Sequence, residues 1–495
     1  MMPAENSGSA ESQPVIVSSQ TPIAKPEGPV LPPTPFTWRA GIGATILAVG
    51  LAAYFFRDLI GLRGQSVAGV FCFFAIVAMF SKNLRAVNWR TIVYGVLLQI
   101  VLAVLVLKVP IVYEGFNYLG TGVKKFIGFS DAGAKFVFGN LYDARPPEAG
   151  GTWSRLFPGD TYAFQFAFVA LPPILFVSAF FTVLYHFGIL QFLVRLMARG
   201  MVHLLGTSGA ETLSVAANVF MGQTEAPLIV KPYVPGMTNS ELFTLMASGM
   251  AHISGGMMVV YINYGADPVA VLTTCVMACP CSLYLSKLFL PETGVPETSG
   301  TVDMAQAKSP YVNAIDAAAS GTSDGLRLAL NVAAMLIVFT AFVAMADALL
   351  AGIKPALLGL GIAADSLAFW PDDLTLRQVF GWVFSPVAFL MGIDLADVHN
   401  VGTLLGSKLA INEHFAYLQM KAWKAIPDFM TPRSYQLTAF ALTGFANFAS
   451  IGIQLGGIGA MAPDRRHDLA RLGGRALFVG FTATLLNAAI AGVMM

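Results

Sequence analysis

The chain has 495 residues, 56% of them hydrophobic and only 12% charged, with a mean hydropathy of +0.67 and a formal net charge of +1. A soluble domain carries about 25% charged residues and could not cover its surface with so few, so the composition points to an integral membrane protein. A net charge this close to zero supplies no attraction for a polyanion, and no nucleic-acid partner is expected.

Residues 1–36 are rich in Pro and Ser and lack the basic start and apolar middle of a signal peptide, so they read as a disordered tail. A membrane-crossing helix needs about 20 apolar residues. Stretches of that kind lie at 38–56, 66–81, 92–110, 161–185, 241–264, 268–290, 327–350, 377–393, 433–458 and 474–494. Between 113 and 140, Lys124, Lys125 and Lys135 alternate with aromatics, a mixture suited to helices lying along a lipid interface. Two further stretches, 205–235 and 395–420, are apolar but interrupted, and 292–324 reads as a polar loop followed by a surface helix. The most basic connections carry Lys82, Arg85 and Arg90, and Arg465, Arg466, Arg471 and Arg475. Placing both in the cytoplasm puts the N-terminus inside and the C-terminus outside, with Arg57 and Arg63 running against the rule.

Several chemistries are excluded. There is no Gly-rich Walker loop, no paired His or Glu-x-x-His on a helix, and no Gly-x-Ser-x-Gly elbow. Cys275, Cys279 and Cys281 form C-x3-C-x-C, but no His or carboxylate nearby completes a metal shell, so they read as small packing residues, as does Cys72.

The interrupted stretches carry the functional signal. In "GAETLSVAANVFMGQTEAPLIVKPYV" the arm 209–221 has 13 residues, about 20 Å as a helix, which reaches past the middle of a hydrocarbon core about 30 Å thick. There Gly222 loosens the helix and Pro227 removes a donor, so the pattern predicts a re-entrant hairpin with Gln223, Thr224 and Glu225 at its tip. Irregular backbone at that depth must line a cavity or be buried in protein. The following span is broken by Ser248, Gly249, His252, Ser254, Gly255 and Gly256. The same order recurs later: Lys408, Asn412 and Glu413 interrupt one apolar run, and Gly444, Asn447 and Ser450 break the next. Interrupted segments at corresponding positions of two halves point to a transporter's midplane site. Glu225 and Glu413 could instead pair with Lys231 or Lys408, yet intramembrane charge costs roughly 2.5–3.5 kcal/mol on insertion scales and usually marks function. His252 alone reads as a core histidine; its place in a break makes it a candidate for proton or ion coupling.

Across "SGAETLSVAANVFMGQTEAPLIVKPYV", "GSKLAINEHFAY" and "GFANFASIGIQLGGIG", the chain resembles the concentrative nucleoside transporters. "LRAVNWRTIVYGVLLQ", "GAKFVFGNL" and "FAFVALPPILFVSAFFTVLYHFGILQ" support this from about residue 64 onward. The resemblance implies an all-α polytopic fold in a homotrimer embedded in lipid. Each protomer would hold scaffold helices plus a transport domain of two re-entrant hairpins and two broken helices in inverted repeat. On this chain it implies N-terminal helices and scaffold over 37–200, and the first hairpin, broken helix and following span over 201–292. The polar loop and surface helix fall at 293–324, more scaffold at 325–394, and the second hairpin, broken helix and last span at 395–495.

The resemblance further implies nucleoside import by elevator-like symport across a bacterial inner membrane, with no enzymatic activity. Gln223, Thr224 and Glu225 would meet the base, with Met257 packed beside it. Glu413, Asn447 and Ser450 would hold the ribose hydroxyls, with Phe445 beside sugar and base. A ribose diol is two adjacent hydroxyls, which a carboxylate and an amide can fix. The family's sodium site would take the Asn218 side chain and main-chain oxygens of Met221 and Ile253. His252 stands where the family has a hydroxyl. Sodium prefers oxygen and imidazole suits a proton, so the coupling ion is Na+ or H+, and no other cofactor is expected. His414 departs from the family's aromatic after the glutamate. A nucleobase or another small polar solute is the alternative cargo, and an intramembrane enzyme or a channel is a more distant reading.

Overall fold

The computed structural model describes residues 32–139, 142, 171–299, 311–361, 363, 366, 371 and 373–495. The described residues are helical throughout, joined by turns, 3-10 segments and one isolated bridge between Ser208 and Ser299. Most of the expected tail, and residues 161–170 of one expected span, lie outside the described residues.

Among the described residues, seven helices are long and apolar enough to cross a membrane: Phe36–Phe55, Arg57–Met79, Trp89–Lys108, Asn239–Asn263, Pro268–Phe289, Thr340–Gly359 and Pro463–Met494. A bent pair, Pro172–His186 with Ile189–Leu205, adds an eighth if counted as one span. The chain is therefore an integral membrane protein. Burial sorts these helices into two groups. Only 6% of the apolar window of Phe36–Phe55 is buried, and Leu47, Leu51 and Phe55 stand exposed, as a lipid-facing helix requires. In Asn239–Asn263 and Pro268–Phe289 the buried shares are 94% and 89%, so these form the protein's interior. Arg466–Met494 packs against Asn239–Ala251, Arg57–Met79 and Pro268–Phe289, and also receives Pro432–Leu442 and Phe448–Met461.

The structure redraws three expected elements. Residues 314–324, read as a surface helix, are the first turns of one helix, Ala314–Gly359, 46 residues long and capped by the Asn313 side chain. Gly321 and Gly325 let it lie against Leu171–His186 at Ser178, where an added Cβ at Gly325 would sit 2.9 Å from Ser178 Cβ. The 113–140 stretch is likewise a single helix, Pro110–Phe138, started by Pro110 at its first turn. The first interrupted arm is α-helical only over Gly209–Ala217. Asn218 follows its last residue, and the Asn218 side-chain amide donates to the Ser248 hydroxyl at 3.1 Å. The remainder is a short helix, Ala226–Ile229, and a 3-10 segment, Lys231–Gly236. Pro227, Pro232 and Pro235 remove the amide donors that a regular helix would need there.

The cysteines pack as expected. All four are free and buried, and the described residues hold no group of three or more His, Cys, Asp or Glu placed to bind a metal.

Candidate functional site

Both broken helices are built on side-chain caps. Asn239–Ala251 ends at His252, whose backbone is extended, and Gly255–Asn263 restarts behind Ser254, whose hydroxyl accepts the Met257 amide at 3.3 Å. Pro432–Leu442 ends at Thr443, and Phe448–Met461 restarts behind Asn447, whose side chain accepts the Ser450 amide at 2.9 Å. Capping of this kind supplies partners to amides that a helix start leaves orphaned. The two breaks meet: the Phe445 amide donates to the His252 carbonyl at 3.0 Å. Gly444, at φ +152, makes the approach possible, since a Cβ there would lie 3.1 Å from the Ala251 carbonyl and 2.6 Å from Thr484 Cγ2.

From this junction a chain of hydrogen bonds crosses four segments. Gln454 donates to Gln223 Oε1 at 3.1 Å, and Gln223 donates to Ser450 Oγ at 3.2 Å. The Ser450 hydroxyl donates to Asn447 Oδ1 at 3.1 Å, and Asn447 donates to Glu413 Oε2 at 2.9 Å. Tyr261 then donates to Glu413 Oε1 at 2.8 Å. All six side chains are buried. Glu413 opens the helix Glu413–Lys424, where the positive end of the helix dipole favours a carboxylate, and Asn412 caps the same turn through the Phe415 amide. Four of the expected site residues, Gln223, Glu413, Asn447 and Ser450, are thus in one network.

The others are placed around it. Thr224 is half-buried and packs on Gly457, where a Cβ would come within 2.6 Å of its methyl. Met257 is buried one turn before Tyr261, and Phe445 is half-buried beside the junction. Glu225 is exposed and closes its own turn, accepting the Gly222 amide at 3.0 Å. It does not pair with Lys231, which is also exposed. Nor does Glu413 pair with Lys408, whose ammonium donates to the Ala441 carbonyl and Thr484 Oγ1.

The expected ion-site residues cluster at the first break. Asn218 is fully buried; its amide nitrogen serves Ser248, and its Oδ1 accepts no hydrogen bond from any described residue. A buried carbonyl oxygen without a donor costs about 1–3 kcal/mol, so it fits a cation ligand better than a packing residue. Among the described residues nothing donates to the main-chain carbonyls of Met221 or Ile253. His252 is buried and occupied elsewhere. Its Nδ1 lies 2.9 Å from the Ser248 carbonyl, which can only accept, so Nδ1 carries the proton, and Nε2 faces Cys279 Sγ at 3.5 Å.

Sequence reasoning missed Tyr261, Gln454 and Tyr417. Tyr417 stacks on Tyr261 with ring centroids 4.3 Å apart and bonds Thr443 at 2.8 Å, which fixes the tyrosine that holds Glu413. Helical spacing carried a signal for two of them: Asn447, Ser450 and Gln454 share one face at i, i+3 and i+7, as Met257 and Tyr261 do at i and i+4.

Family models described as Na+ dependent nucleoside transporter N-terminus, nucleoside recognition, and Na+ dependent nucleoside transporter C-terminus match residues 68–141, 167–267 and 270–492. An uncharacterized transporter of Haemophilus influenzae is 38% identical over 433 residues, 87% of this chain and 97% of that one. Sodium/nucleoside cotransporter 1 of Mus musculus is 36% identical over 87% of this chain and 63% of its own length. CNTnw in an inward-facing substrate-bound state is 34% identical, with a TM-score of 0.78 over 88% of this chain and 98% of that chain. A variant of it in an outward-facing state gives 0.79 over 88% and 97%. The chain belongs to the concentrative nucleoside transporter family, whose members are membrane transport proteins and not enzymes.

Proposed function

We propose that this chain imports nucleosides by symport with sodium. The observation that carries the reading is the buried chain from Gln223 through Ser450 and Asn447 to Glu413. It sets a carboxylate, an amide and a hydroxyl side by side between two helix breaks. A ribose diol replaces such contacts group for group, and a solute without hydroxyls leaves them unpaired, which is how a polar site rejects close analogues. Gln223 and Thr224 face the base on this reading, with Glu225 and Met257 beside them and Phe445 against sugar and base.

Sodium is favoured by the donor set. Among the described residues nothing donates to Asn218 Oδ1 or to the Met221 and Ile253 carbonyls, all hard oxygens, while both ring nitrogens of His252 face groups outside that set. The names of similar cotransporters support the same ion. Proton coupling through His252 is the second reading, motivated by its position in the break. The two hairpins, re-entrant from opposite faces, would move with the broken helices as one elevator-like domain within a homotrimer. We place that trimer in a bacterial inner membrane with the N-terminus inside and the C-terminus outside, and the domain boundaries follow the division given above except that Ala314–Gly359 belongs whole to the scaffold.

Radiolabelled uridine uptake into proteoliposomes, with sodium and proton gradients imposed separately, tests the reading. Uptake on a sodium gradient alone supports it, and uptake on a proton gradient alone moves the coupling to His252. Silence under both, with adenosine and cytidine also silent, returns the cargo to a nucleobase or another polar solute.

A further inference from the structure

The two helix breaks can be aligned by their caps, and the alignment sets Lys408 opposite Asn218. Ser254 caps the restarted helix in the first repeat and Asn447 in the second, each accepting the amide three residues on. Six residues before each cap, in the helix that enters the break, stand Ser248 and Ala441. Asn218, at the end of the first hairpin's leading arm, donates to Ser248 Oγ at 3.1 Å. Lys408, in the last turn of the second hairpin's leading arm, donates to the Ala441 carbonyl at 2.7 Å. The two side chains thus reach the same point of their respective repeats.

Their chemistry there is complementary. The first repeat presents a buried oxygen with no donor. The second presents an ammonium that is 0% exposed, bonded to a carbonyl and, at 2.9 Å, to Thr484 Oγ1, and 5.4 Å from the centre of the Phe481 ring. Those partners are neutral oxygens and a ring face, the kind of shell that holds a monovalent cation, and Glu413, though not hydrogen-bonded to the ammonium, acts on it as the opposite charge. A buried charge is expensive unless its surroundings replace water this way.

We propose that the Lys408 ammonium is a tethered cation occupying, in the second repeat, the position that the transported ion takes in the first. The transport cycle then carries one ion per nucleoside, because the second cage is already filled by the chain itself. The inference rests on the ion site proposed at Asn218, but not on which ion binds there.

The experiment is the charge moved per uridine, read from reversal potentials in proteoliposomes holding the full chain. Wild type is expected to move one positive charge per uridine, and two would overturn the proposal. Lys408→Ala removes the ammonium and leaves its oxygens open to solvent ions. It is expected to raise the ratio toward two and the sodium Hill coefficient from about one toward two. Lys408→Ala that transports with the wild-type ratio and Hill coefficient would overturn the proposal, since a merely structural lysine would change neither. Lys408→Arg keeps a cation and should keep the ratio of one; a ratio of two in that variant counts against the proposal. If neither variant assembles, the wild-type ratio decides alone. Uptake driven by protons and not sodium would sink the sodium reading above, while the ratio measured in a pH gradient would still report on Lys408.

Discussion

The two repeats share a plan and differ in how their central polar side chains are held. In the second, Glu413 is held at both oxygens by Tyr261 and Asn447, and Lys408 has two oxygen partners. In the first, Asn218 keeps a bare oxygen, Glu225 does no more than close its own turn, and the return limb is broken by three prolines. The lesson is a division of labour within one architecture. On the function proposed above, the repeat that holds Glu413 at both oxygens would orient the solute, and the repeat whose Asn218 oxygen meets no described donor would take up the ion.

That contrast can be broken at four places. The largest effect is expected at Glu413→Gln, which removes the charge from the centre of the network. Hydrogen bonds to a charged group contribute about 1.5–3 kcal/mol each, so uridine affinity should fall on the order of 100-fold with assembly intact. Near-normal uptake by a folded Glu413→Gln protein would remove the carboxylate from substrate binding. Next is Asn218→Ala, which deletes the unmet oxygen. Half-maximal uptake should require roughly 10-fold more sodium, while uridine affinity at saturating sodium stays close to wild type. If uridine affinity fell and the sodium requirement did not move, the two repeats would have exchanged roles.

Tyr261→Phe should be milder, a loss of about 3- to 10-fold in uridine affinity, because Asn447 still holds one oxygen of Glu413. Its sodium dependence at saturating uridine should not change, which separates orientation of Glu413 from ion binding. The smallest change is expected for His252→Ser. With both ring nitrogens engaged by the Ser248 carbonyl and Cys279, the imidazole is structural on the sodium reading. The cation requirement and pH profile of uptake should therefore shift by less than about 3-fold, within the loss of one ordinary hydrogen bond. An uptake profile that lost its pH dependence would instead make His252 the proton carrier.

Much of this was legible in the sequence, for physical reasons that can be named. Long apolar runs fix where helices cross, and small polar residues inside them fix where helices break, so the breaks around His252 and Asn447 fell where they were expected. The elements that escaped depend on tertiary contacts. Nothing in 314–326 stops a helix, but its polarity separated it from the apolar run that begins at 327, and only packing against Leu171–His186 joins the two. At the end of the first arm, Asn218 meets Ser248, a partner 30 residues away. What makes Tyr261 part of the site is Glu413, 152 residues on.

The hydrogen bond from the Phe445 amide to the His252 carbonyl has a thermodynamic consequence. His252 is followed by Ile253, one of the proposed ion ligands, and Phe445 lies two residues before Asn447, a proposed nucleoside ligand. One backbone bond therefore joins the two proposed sites. Linkage then demands symmetry. Whatever factor the ion lends to nucleoside affinity, the nucleoside must return to the ion, and a titration of either one in the presence of the other measures the same coupling free energy.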